Sequence, residues 1–162
     1  ISHTTARPHS EQAFSSESSM NNHAILYPIF ALAWWTSCVL LLIPIARIRA
    51  GRRREIVVDD FKYGESSAVP PHVSIPNRNY MNLLELPVLF YVAGVLLLVS
   101  PCTSLTSIYL AWLYVGLRIV HSVIHLTYNK VLHRLAAFAA SNAALVALWI
   151  DVGLTILPTS CR

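Results

Sequence analysis

With 162 residues, 55% of them hydrophobic and only 12% charged, the chain has a mean hydropathy of +0.53, too apolar for an ordinary water-soluble domain. The net charge of +4 and pI near 9.2 would suit nucleic acid. The basic residues, however, gather in the connections between uncharged runs, which excludes nucleic acid as a partner and points to a membrane.

Residues 1–22 are rich in Ser, Thr and His and poor in apolar side chains, which predicts a disordered tail. The start at Ile1 instead of Met points to processing or truncation. From Ala24 to Ala46 no residue is charged, enough for one helix, about 24–47, across a hydrocarbon layer. A polar loop, 48–79, follows. It contains Arg52-Arg53-Arg54 and Asp59-Asp60, and its prolines at 70, 71 and 76 predict an extended path.

A second uncharged run, Leu86 to Leu117, is too long for one helix and is broken by turn chemistry at Ser100-Pro101-Cys102-Thr103-Ser104. It predicts helices at about 80–99 and 105–129. The third run, Leu135 to Ile150, continues to a helix at about 132–157, ended by Pro158. The expected fold is therefore all-α: an integral membrane four-helix bundle over 23–158, with a short tail at 159–162. Seven of the twelve Lys and Arg lie between Arg47 and Arg78, and Lys130 and Arg134 lie around the third connection. That asymmetry predicts the basic loop on the cytosolic or matrix side and both termini opposite. A bacterial inner membrane and a eukaryotic organellar or endomembrane fit equally.

Polar residues inside such runs point to function. Arg78, Asn82 and Glu85 are spaced i, i+4, i+7 and form one helical stripe suited to a small zwitterion. Arg118, His121 and His125, with Asn129 beyond, form a second stripe. Arg118 would need a counter-charge from Glu85 or Asp151. Arg134 falls in the first turn of the last helix, where it adds to a positive dipole and suits either an anion or thiolate site or a snorkelling role at the interface. The cysteines Cys38, Cys102 and Cys161 show no metal-ligand spacing, so no metal is expected; pairing of Cys102 with Cys161 stays open. Haem ligation by His121 and His125 is disfavoured, because both lie on one helix with no histidine facing them.

Taken together, these residues resemble the membrane-associated proteins in eicosanoid and glutathione metabolism, the MAPEG family, and most closely its bacterial-type branch. In that family the second helix opens with Arg-x-x-x-Asn-x-x-Glu and a nearby proline, here Arg78, Asn82, Glu85 and Pro87. The third carries Arg-x-x-His-x-x-x-Tyr followed by a basic residue and an arginine, here Arg118, His121, His125, Lys130 and Arg134. The resemblance implies a homotrimer with glutathione as co-substrate bound at subunit interfaces. It implies binding roles for Arg78, Asn82, Glu85, Arg118 and His121, and thiolate stabilisation by Arg134. His125 stands where the family has a tyrosine, and Tyr128 is the nearby hydroxyl that would substitute if the helix unwinds. The implied activity is conjugation of glutathione to small lipophilic electrophiles or reduction of lipid hydroperoxides. A non-catalytic subunit of a larger, possibly respiratory, membrane complex is the alternative.

Overall fold

A computed structural model describes residues 23–100 and 103–156. The expected tails, Cys102 and Cys161 lie outside the described residues. The described chain is helical, without a strand: α1 Leu26–Arg52, a 3-10 turn Val58–Phe61, α2 Pro71–Leu84, α3 Pro87–Val99, α4 Leu105–Leu126 and α5 Val131–Ile156. Four segments are long and apolar enough to cross a membrane, with α2 and α3 jointly forming the span Pro71–Val99. The large apolar side chains exposed along them, Trp34 and Tyr109 among them, are those an apolar medium would accept.

Three boundaries differ from the sequence expectation. The second span starts at Pro71 rather than near residue 80, and α1 runs to Arg52, so the loop between helices shortens to 53–70. The prolines start the helix instead of keeping the chain extended. Pro70 is the extended N-cap residue (ψ 147°) and Pro71 occupies the first helical position, where a missing N–H costs nothing. Pro76 is absorbed within the helix at the loss of one hydrogen bond. The third helix ends at Leu126, earlier than the expected 129.

The core is one cluster in which Leu32, Phe90, Leu97, Tyr114 and Leu148 are fully buried, with Phe90 stacked on Tyr114 at 4.9 Å. Gly94 lets α1 approach α3: a Cβ there would lie 2.5 Å from Ile29 Cδ1. A polar junction crosses this core. Ser122 Oγ on α4 accepts from Asn79 Nδ2 of α2 at 2.7 Å and from Trp35 Nε1 of α1 at 2.9 Å. Three helices are thereby fixed in axial register where no water competes.

At the other end Ser104 caps α4, accepting the Ser107 N–H at 3.0 Å. Asp151 of α5 accepts from the hydroxyls of Ser104 and Ser107, placing its carboxylate against the positive end of α4. The loop is tied down by a small cluster of Ala50, Val69 and Val73. Arg47 reinforces it, lying over the Phe61 ring and bonding Glu65 at 3.4 Å.

Candidate functional site

Helix α2 stops at Leu84 because Pro87 has no N–H to continue the ladder, and a new helix begins at Pro87. Carbonyl groups at the end of α2 thus lose their usual partners. The Asn82 carbonyl is taken by Arg118 Nη2 at 2.8 Å. Arg118 is almost wholly buried (1% exposed), and its Nε and Nη1 make no hydrogen bond. The Tyr114 and Phe138 rings stand 5.8 and 5.7 Å from its guanidinium.

The expected counter-charge is therefore not a carboxylate. Glu85 is exposed and forms no ion pair with Arg118, and Asp151 is occupied by its serines. Arg118 instead answers the negative end of the α2 dipole and one freed carbonyl, the favourable place for a cation.

A cleft of about 570 Å³ opens between α2, α4 and the start of α5. Arg78, Asn82 and Glu85 line one wall, His121 and His125 a second, and Asn129 and Arg134 a third; Met81, Leu135 and Phe138 add apolar surface. Six of the eight expected residues thus meet in one cavity. Arg118 and Tyr128 do not line it. Arg118 lies behind the wall, holding α2 through its backbone. Tyr128 is exposed and its hydroxyl meets His133 Nδ1 at 3.1 Å, so the unwinding after Leu126 turns it to the surface.

Arg134 is held from two sides. Its Nη1 donates to Asn129 Oδ1 at 3.0 Å and lies 3.4 Å from His125 Nε2. Arginine can only donate, so His125 Nε2 is the acceptor and the neutral ring carries its proton on Nδ1. His121 Nδ1 lies 3.0 Å from the Arg134 carbonyl and must donate to it, which leaves Nε2 as the unpartnered ring nitrogen. Asn129 does not extend the α4 face as its spacing suggested. It adopts a left-handed conformation (φ 47°) in the turn, its N–H closing on the Ile124 carbonyl at 2.8 Å. Asparagine just past a helix end is the signal that marks this position.

Residues 25–154 match the model of the MAPEG family. The chain belongs to the MAPEG family. Comparison with curated proteins and with solved structures returns no match. The described cleft therefore sits in a MAPEG membrane four-helix bundle, a family with glutathione-dependent transferases and peroxidases as well as non-catalytic members. Among the described residues no group of three His, Cys, Asp or Glu is placed to hold a metal ion.

Proposed function

We infer that this MAPEG chain is a glutathione-dependent membrane enzyme acting on small lipophilic substrates as a homotrimer, with the basic loop on the cytosolic or matrix side. One observation carries the reading: cationic, amide and carboxylate side chains from two helices converge with Arg134 on a single cleft beside apolar surface. A tripeptide with two carboxylates and an amino group needs such a mixture, and a lipophilic partner needs the apolar wall.

The chemistry requires a thiolate, and a free thiol titrates near 8.5. Lowering that value by two units corresponds to about 2.7 kcal/mol, within the reach of one directed guanidinium in a partly dry cleft. Arg134 suits that role, because only its Nη1 is engaged among the described residues and Asn129 fixes its direction. Arg78, Asn82 and Glu85 hold the peptide's charged and polar groups. In conjugation the sulfur forms a bond to an electrophilic carbon and displaces its leaving group. In hydroperoxide reduction the sulfur attacks the terminal oxygen, the O–O bond breaks and the alcohol departs. A second glutathione then converts the sulfenic acid to disulfide and water.

The test is the ultraviolet difference absorbance of the thiolate on adding glutathione to detergent-solubilised protein, with turnover measured in parallel. Arg134→Leu is expected to abolish the thiolate signal and lower turnover at least about 100-fold, with binding weakened far less. Arg78→Ala is expected to weaken binding first. Wild-type turnover in Arg134→Leu overturns the role given to Arg134, and no glutathione binding or turnover by the native protein overturns the reading in favour of a non-catalytic subunit.

A further inference from the structure

The outward face of α1 carries an apolar stripe that ends in unpaired cations. Leu41, Ile45, Ile48 and Arg52 are spaced i, i+4, i+7 and i+11 on this helix, and all four are exposed. Arg49, also exposed, lies one turn before Arg52. Uncharged sequence from Leu26 to Ala46 covers about 30 Å of helix, so these arginines emerge where hydrocarbon gives way to headgroups.

The local carboxylates are mostly spoken for. Glu65 bonds Arg47, and Glu55 lies between Arg53 and His72. Asp60 accepts from the Val57 N–H and the Ser66 hydroxyl. Arg49, Arg52 and Arg54 have no ion-pair partner among the described residues, and Asp59 is the one loop carboxylate left over. Past the arginines the loop holds apolar side chains out to solvent: Val58 is 90% exposed and Tyr63 91%. A topology signal and a helix dipole account for the arginines. Neither accounts for the exposed valine and tyrosine that follow them in the loop.

We propose that this surface binds an anionic phospholipid. An acyl chain lies along Leu41, Ile45 and Ile48, Arg49 and Arg52 hold the phosphate, and Val58 and Tyr63 enter the headgroup layer. Guanidinium groups on adjacent turns match a phosphate's several acceptor oxygens, and an apolar stripe leading to them matches the lipid's long axis. A second copy of the chain on this stripe would have to bring an anion to the arginines. Among described residues outside the loop only Glu85 and Asp151 are acidic, and these lie in the cleft and at the serines of α4. The lipid is the better complement.

The test is native mass spectrometry of the whole protein released from bilayers of equal phosphatidylglycerol and phosphatidylcholine. The wild type is expected to retain phosphatidylglycerol preferentially. Arg49→Gln/Arg52→Gln is expected to lower that preference about 25-fold, taking roughly fivefold for each arginine. Arg49→Gln alone is expected to lower it about fivefold, whereas Lys130→Gln, which removes one positive charge in the turn between α4 and α5, is expected to leave most of it. No preference in the wild type, or equal loss in Arg49→Gln and Lys130→Gln, overturns the proposal. So does a change of oligomeric state in Arg49→Gln/Arg52→Gln with lipid retention intact, which would make the stripe a subunit contact. None of these outcomes depends on glutathione.

Discussion

Replacing Ser122 by alanine removes one oxygen and strands two donors. Asn79 Nδ2, on a fully buried residue, and Trp35 Nε1, half-buried, both bond that hydroxyl. A buried donor left unsatisfied costs about 1–3 kcal/mol in water-based measurements. Interhelical hydrogen bonds in bilayers average nearer 0.6 and reach about 1.7 kcal/mol, because the separated helices find other partners. Two bonds give about 1–3.5 kcal/mol on the membrane scale. We expect Ser122→Ala to lose about 2 kcal/mol, measured by denaturant titration in mixed micelles, with Ser122→Thr closer to wild type if its methyl group is accommodated. The cycle with Asn79→Ala is expected to show about 0.5–1.5 kcal/mol of coupling, since either change removes the shared bond. A loss below about 0.5 kcal/mol in Ser122→Ala, or additive behaviour in the cycle, would refute the view that the junction fixes three helices.

Three further outcomes follow from the packing. Arg118→Met removes a buried cation with one hydrogen bond, so stability is expected to change by less than about 1 kcal/mol by thermal melting; a loss above about 3 kcal/mol would show that the carbonyl contact is essential. Asp151→Ala frees the serine hydroxyls and withdraws an anion from the α4 N-terminus, at an expected cost of about 1–3 kcal/mol, and Asp151→Asn is expected to cost less. Gly94→Ala is expected to be near neutral, because the about 1 kcal/mol gained in helix propensity offsets a contact with the movable end of Ile29, whereas Gly94→Val is expected to lose about 1–3 kcal/mol in the same melts.

The membrane spans were legible because charge is absent from Ala24–Ala46 and Leu86–Leu117, a property that needs no tertiary context. The cleft residues were legible from helical spacing and family resemblance, since polar groups inside apolar runs stand out. The partner of Arg118 was not. Charge logic sought a carboxylate, while the answer was the Asn82 backbone carbonyl at the end of α2, visible only once the break in the helix is known. The start of α2 was misjudged because proline at a first helical position and proline in an extended loop read alike. Asn79 and Ser122 are each adjacent in sequence to a cleft residue, Arg78 and His121, and their roles emerge only from the pairing of α2 with α4. Tyr128 depended on where α4 unwinds, a matter of one or two residues.

The break at Pro87 also bears on the bilayer itself. Helix α3 has 13 residues, about 20 Å of length against roughly 30 Å of hydrocarbon. The remainder of that crossing falls to α2, whose inner end carries Asn82 and leads into Glu85. An exposed carboxylate at that depth favours locally thinned lipid with water drawn in around it. In a bilayer that carboxylate is expected to draw water toward the mouth of the cleft. Longer acyl chains in the host bilayer are expected to make that hydration costlier, so access to the cleft is expected to fall as the surrounding lipid thickens.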